Sequence, residues 1–278
     1  MKSLFFAFFV VLFVSCNSDD DDDFTKDYKA ENELEIQAYI AAKDLDATGT
    51  NSGLYYVIDE IGTGADITAS SDVSVRFKGL YTDGTEVFPD TNNERISFNL
   101  QNTIAGMREG LQYFREGGSG ILLMPAHLAF GNEDYEGIPG GSVIIFEIEV
   151  IDDEVENEQE IVAYIAENNL NATASGSGLY YVIDEQGTGV QPNENSNVTV
   201  VYKGYYTNAT VFDESDVNGV SFNLNQVIPG WTEGIQYFNE GGSGQLLIPS
   251  ALAYGRYGNP TIPGGAVLIF DVNLKAVN

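Results

Sequence analysis

Apolar positions along this chain follow three spacings. Leu4–Val14 is an almost unbroken apolar run. From Glu35 to Leu45, Ile36, Tyr39 and Ile40 recur at the interval of one helix face. Glu160–Leu170 reads the same way, so a short helix is predicted in each place. Several runs suit strands instead. Leu179–Ile183 is rich in Tyr, Val and Ile. Asn197–Tyr202 alternates, with Val198, Val200 and Tyr202 on one side, and Val220–Leu224 alternates likewise. Gln245–Ile248 and Val267–Leu274 are two more. Between them, Gln226–Phe238 has helical spacing around Trp231, Ile235 and Phe238, with Gly241-Gly242 as its stop. About five antiparallel strands curled around one short central helix make an α+β domain, because that arrangement buries both.

The pattern is written twice. Gly53-Leu-Tyr-Tyr-Val-Ile-Asp-Glu-Ile-Gly-Thr-Gly64 recurs as Gly178-Leu-Tyr-Tyr-Val-Ile-Asp-Glu-Gln-Gly-Thr-Gly189, at an offset of 125. Tyr113-Phe-Arg-Glu-Gly-Gly-Ser-Gly120 recurs as Tyr237-Phe-Asn-Glu-Gly-Gly-Ser-Gly244, at an offset of 124. Ile138-Pro-Gly-Gly141 recurs as Ile262-Pro-Gly-Gly265 at the same offset. A period this long is a duplicated domain rather than a solenoid. The change of offset puts a one-residue deletion near Thr207–Thr210. The boundary is expected in the acidic stretch Asp152–Glu160, giving domains over 24–153 and 154–278.

The start of the chain reads as a targeting segment. Lys2 precedes an apolar run too short to cross a bilayer but suited to a signal peptide. Phe13-Val14-Ser15-Cys16 resembles a bacterial lipobox, although Phe13 stands where Leu is usual. The resemblance implies that residues 1–15 are removed and that Cys16, the sole cysteine, carries lipid. An ordinary secretory signal is the alternative. Asp19–Asp23 cannot pack against one another, so residues 16–23 form a solvated acidic tether. Beside a lipidated cysteine, Ser-Asp-Asp resembles the export signal of Bacteroidetes surface lipoproteins; a plain spacer is the rival reading. The expected location is the cell envelope, lipid-anchored to the outer membrane on its periplasmic or exterior side.

Composition narrows the chemistry. Asp and Glu number 42 against 12 Lys and Arg, a formal charge of −30, which argues against nucleic acid. It equally disfavours docking on anionic lipid, so contact with the membrane is expected through the N-terminal lipid only. One Cys excludes an internal disulfide. One His, His127, leaves no His pair for a metal and no Ser-His-Asp triad, and it is expected in an exposed turn. Neither metal nor organic cofactor is implied.

Three segments of the second copy carry a resemblance. They are Val200-Val-Tyr-Lys-Gly-Tyr-Tyr206 with Val211-Phe-Asp213, then Gln226-Val-Ile-Pro-Gly-Trp-Thr-Glu-Gly234. The third is Leu246-Leu-Ile-Pro-Ser-Ala-Leu-Ala-Tyr-Gly255, followed by Ile262-Pro-Gly-Gly-Ala-Val-Leu-Ile-Phe-Asp271. In order and spacing they are similar to FKBP-type peptidyl-prolyl cis-trans isomerases. The resemblance implies a pocket for a proline ring, with Trp231 as floor. Tyr202, Phe212, Phe222 and Phe270 would be its aromatic walls, Phe222 being as readily a core residue. Val227, Ile228 and Ile262 would complete the rim. The Ile228 N–H and the Tyr254 hydroxyl would bond carbonyls of a bound peptide, and Asp213 would be the acidic group beside the twisting amide. Asn259 stands where the family often has His.

Such a site needs no acid–base pair. The barrier to X-Pro rotation, about 18–20 kcal/mol, is amide resonance. A dry pocket with fixed hydrogen bonds need only favour the twisted amide over the planar one.

The first copy departs from the pattern. Phe77 stands for Tyr202, Pro89 for Asp213, Thr103 for Val227, Met107 for Trp231 and Phe130 for Tyr254. Phe88, Phe98, Ile104, Ile138 and Phe146 keep their types. Phe77, Phe88, Met107, Phe130 and Phe146 are thus expected to line a degenerate pocket that catalyses poorly or only binds peptide. The resemblance implies isomerisation of X-Pro bonds in envelope or exported proteins, mainly in the second domain. The alternatives are a non-catalytic peptide-binding chaperone, or an accessory surface lipoprotein using the fold as scaffold.

Overall fold

A computed structural model describes residues 26–91 and 94–278; the leader, Cys16 and the acidic tether lie outside them. Among the described residues no helix is long and apolar enough to cross a membrane. The chain divides into two compact units, the first ending at Asp152 and the second running Asp153–Asn278.

The first unit contains α1 (Lys29–Lys43), β1 (Thr48–Gly49), β2 (Tyr55–Glu60), β3 (Asp72–Leu80), β4 (Glu86–Phe88), β5 (Ile96–Asn99), α2 (Ala105–Gly110), β6 (Ser119–Met124) and β7 (Ile144–Val150). Its seven-stranded sheet has the order β1-β2-β6-β7-β3-β4, with β5 also paired to β3. The second unit repeats this with α3 (Asp153–Glu167), β8 (Thr173–Ala174), β9 (Tyr180–Glu185), β10 (Asn197–Tyr205), β11 (Val211–Glu214), β12 (Val220–Asn223), α4 (Pro229–Gly234), β13 (Ser243–Ile248) and β14 (Leu268–Val277). Its sheet has the order β8-β9-β13-β14-β10-β11, with β12 on β10. All pairings are antiparallel.

Each sheet buries both faces. On the inner face of the second, Trp231 and Ile235 pack with Leu246, Ile248, Leu268, Phe270 and Val272. On the outer face Ile161 of α3 packs with Leu247, Val267 and Ile269. Successive residues of a strand point to opposite faces, so burial on both sides turns alternation into the continuous apolar runs of β13 and β14. A sheet around one central helix therefore accounts for only the inner face. The opening helix of each copy covers the outer one, as Ile36 does with Leu80, Leu123 and Ile145.

Three element boundaries differ from the sequence reading. The opening helices begin earlier, at Lys29 and Asp153 rather than Glu35 and Glu160. Their first turns touch the sheet through buried Asn32 and Asn157, which an apolar pattern does not register. The acidic stretch after Asp152 is thus the start of α3 and not a linker. Carboxylates in its first turn, at Asp153, Glu154 and Glu156, sit favourably at the positive end of the helix dipole. The central helix is the six-residue α4, continued only by a 3-10 turn over Ile235–Tyr237. It therefore stops well before Gly241-Gly242. Each sheet has seven strands, two more than expected. The extra ones, β8 and β11 in the second unit, are two and four residues long, too short to show a period.

Candidate active site

Trp231 lies in α4, which Pro229 opens at a first-turn position with its backbone preset for helix. The indole is 5% exposed and meets three rings nearly edge to face. Tyr202 of β10 is 5.1 Å away at 85°, Phe270 of β14 5.1 Å at 88°, and Phe222 of β12 5.4 Å at 64°. Phe212 stands against Phe270 at 5.5 Å and 88°. Such geometry suits the ring quadrupoles. Phe222, ambiguous in the sequence, is half-buried and belongs to this set. Val227, Ile228 and Ile262 pack into the same apolar cluster.

Two backbone features bring the walls together. The β10–β11 register slips between Gly204 and Tyr205, so that Asp213 faces Gly204, Val211 faces Tyr205, and Phe212 is the extra residue. A bulge of this kind re-aims side chains. Gly204 lies under the walls: a Cβ there would stand 2.8 Å from both the Phe212 and Phe270 rings. Only glycine lets both rings close over that strand.

Asp213 is the acid at the edge. The Tyr202 hydroxyl donates to its Oδ2 at 2.7 Å. Burial, then this bond and the carboxylate's charge, then nearby Tyr254, push the Tyr202 phenol up to about 12. Tyr254 follows the 3-10 turn Ser250–Leu252 and is 41% exposed. Among the described residues its hydroxyl has no hydrogen-bond partner in the protein, and neither has the Ile228 N–H. Tyr254 makes no ring contact with the cluster. Asn259 caps its own turn, its Oδ1 accepting the Thr261 N–H at 2.9 Å, the Thr261 hydroxyl at 3.0 Å and the Ile262 N–H at 2.8 Å.

Sequence reasoning missed Asn157. Its Nδ2 donates to Gly265 O at 2.9 Å and its Oδ1 accepts the Ser250 N–H at 2.7 Å. One buried amide of α3 thus ties both ends of the segment carrying Tyr254 and Ile262. Asn32 holds Gly141 and Ala126 in the same way, and this recurrence of Asn at one offset is the signal that was available.

The first domain assembles the corresponding residues differently. Phe77 packs on Phe146 at 5.3 Å, and Phe88 stacks on Phe146 at 5.5 Å. Met107 is buried beneath, in one cluster with Phe98, Ile104 and Ile138. Phe130, the counterpart of Tyr254, lies 5.5 Å from Phe88 and stacks on Tyr135 at 5.7 Å. Pro89 offers no acid. His127 is exposed, its Nε2 2.9 Å from Ser52 O, beside a cleft of about 240 Å³ with Lys29 and Glu33, apart from these rings.

The fold is present twice, and only its second copy encloses an indole in aromatic walls with an acid at their edge. The family model of FKBP-type peptidyl-prolyl cis-trans isomerases matches residues 64–151 and 189–275, more than half of the chain, and the chain belongs to that family. It is 43% identical over 129 residues to the FKBP-type peptidyl-prolyl cis-trans isomerase FkpA of Aeromonas hydrophila, covering 45% of this chain and 48% of the relative. It is 45% identical over 126 residues to the probable FkpA of Neisseria meningitidis serogroup B, covering 44% of this chain and 46% of the relative. The crystal structure of FkpA from Escherichia coli is similar at 38% identity with a TM-score of 0.42, over 45% of this chain and 61% of that one. The chain spans about half the length of the curated relatives it matches. Helices α1 and α3 lie outside the matched residues.

Proposed function

We propose that this protein is a peptidyl-prolyl cis-trans isomerase whose working site is the aromatic cluster of the second domain, 154–278. A proline ring enters over Trp231, between Tyr202, Phe212, Phe222 and Phe270. Val227, Ile228 and Ile262 hold the flanking chain, while the free Ile228 N–H and Tyr254 hydroxyl donate hydrogen bonds to its carbonyls. The apolar walls remove the water that stabilises the planar, charge-separated amide, so rotation out of the plane costs less there. Asp213, held by Tyr202, stands where partial charge changes as the amide twists. No bond is made or broken, so no nucleophile is needed. The observation that carries this reading is the indole enclosed by three rings with the Tyr202–Asp213 pair at the edge.

Domain 24–153 is a degenerate partner, and the clients are X-Pro segments of envelope or exported proteins. Residues 1–15 are a lipoprotein signal, Cys16 carries the lipid, and residues 16–23 tether the domains to the outer membrane. The bacterial lipobox-like Phe13–Cys16 and the Bacteroidetes-like Ser-Asp-Asp run after it support this part; loss of label from radioactive palmitate in Cys16→Ser tests it.

Activity is tested by cis/trans exchange of a short X-Pro peptide with the full chain. Asp213→Ala and Trp231→Phe are each expected to lower kcat/KM roughly tenfold, a barrier change of about 1.4 kcal/mol, with circular dichroism unchanged. An inactive wild type, or two variants as fast as wild type, refutes the assignment.

A further inference from the structure

The two domains fill homologous positions with different rings. In the first, the ring that packs on Phe88 besides Phe146 is Phe130, brought in by the segment after β6. In the second, the ring that packs on the corresponding Phe212 besides Phe270 is Tyr206, at 5.0 Å and 44°, brought in by the turn directly after β10. Tyr254, the counterpart of Phe130, stays 41% exposed and touches no ring. Tyr81, the counterpart of Tyr206, makes no ring contact and has no hydroxyl partner among the described residues.

Tyr206 is firmly placed. Its N–H donates to Thr210 O at 3.0 Å, and its carbonyl accepts the Ala209 N–H at 2.8 Å. Its hydroxyl donates across to Thr261 O at 3.3 Å. Thr261 belongs to the turn that Asn259 caps, directly before buried Ile262. Tyr206 therefore links a wall of the site to the segment whose other end is Tyr254. Gly137 holds the place of Thr261 in the first domain, where no such link exists among the described residues.

We propose that Tyr206 is a positioning residue that keeps the second site open: it covers Phe212 and ties down Thr261, so that Tyr254 does not fold inward as Phe130 does. It touches neither proline nor the twisting amide. The inference deepens the isomerase reading and rests on it only for where the peptide binds.

The test uses the full chain with Tyr206→Phe and Tyr206→Ala. Trp231 is the sole tryptophan, so its fluorescence reports the second site alone. Titration with an Ala-Leu-Pro-Phe peptide is expected to show binding weakened about tenfold in Tyr206→Ala and about twofold in Tyr206→Phe, which keeps the ring but loses a hydrogen bond. In exchange kinetics KM rises in parallel while kcat stays within about twofold. Acrylamide quenching of Trp231, which needs neither peptide nor turnover, falls in Tyr206→Ala as the segment closes. Unchanged quenching in a folded Tyr206→Ala overturns the proposal, as does a loss confined to kcat. A wild type that binds peptide without turning it over defeats the isomerase reading and leaves this one standing.

Discussion

At the scale of single residues, the Tyr202–Asp213 pair is the polar contact at the edge of the second domain's aromatic cluster. A phenol held 2.7 Å from a carboxylate and partly shielded from water resists ionisation, because a phenolate there would be desolvated and face a like charge. Its ordinary value of 10.0 is raised to about 12 by folding. The folded state thus holds that proton more tightly than the unfolded chain does. The resulting stabilisation is full below pH 10 and is lost as pH climbs from 10 towards 12. Tyr205 is raised in the same direction, chiefly by burial beneath α3, so the contribution of Tyr202 has to be isolated by difference. In Asp213→Asn the like charge is gone and burial remains. Tyrosinate absorbance of that variant should therefore rise at lower pH than in wild type, and its loss of stability above pH 10 should be smaller and end at lower pH. Superimposable alkaline titrations would mean that the hydroxyl does not face the carboxylate in solution.

At the scale of elements, the site is a property of how short pieces are tied to a rigid sheet. The segment between β13 and β14 has no regular structure beyond one 3-10 turn, yet both its ends are fixed to α3 by Asn157. Removing that amide leaves a buried N–H of Ser250 and a buried carbonyl of Gly265 unpaired. Asn157→Ala is expected to cost about 3 kcal/mol in urea unfolding, since each orphaned group costs about 1–3 kcal/mol. A loss under about 1 kcal/mol would show that water replaces the side chain. The same residue explains what the sequence disclosed and what it hid. Strands β10 and β12 were legible from alternation, β9 from its Tyr, Val and Ile content, and β13 and β14 as apolar runs. Strand β11 was not, because Val211–Glu214 is short and owes its place to a bulge rather than a period. The opening turns of α1 and α3 were not, because a buried Asn looks like a solvent-facing one until its partners are known. Trp231, Tyr202, Phe212 and Phe270 were legible as a set through the family resemblance of the motifs that carry them. Their counterparts in the first domain were legible as types, but the packing of Phe130 on Phe88 depends on a backbone path that residue type does not encode.

At the scale of the whole chain, the duplication has left two versions of one fold with unequal openings. Both units share the sheet order, the covering helix and the buried Asn, so the difference between them does not lie in the scaffold. It lies in a few substitutions. Met107 replaces the indole, Pro89 removes the acid, and Phe130, lacking a hydroxyl, packs on Phe88 and Tyr135. An apolar ring gains by leaving water, whereas the Tyr254 hydroxyl keeps a reason to stay in it. The first domain thus satisfies its own aromatic wall, and a proline ring offered to it would have to displace Phe130 first. That displacement re-exposes apolar surface, at roughly 25 cal/mol for each Å², and leaves the peptide carbonyls without the Tyr254 hydroxyl. The full chain should therefore bind one proline peptide, not two. Calorimetric titration is expected to give a single site, and the Trp231 fluorescence change should saturate at the same molar ratio as the heat. Phe130→Ala should open a second, weaker site that contributes heat without altering Trp231 emission. Two sites in wild type, one of them silent in fluorescence, would show that the first domain receives ligand despite its ring packing, and would reassign it from closed partner to auxiliary binding module.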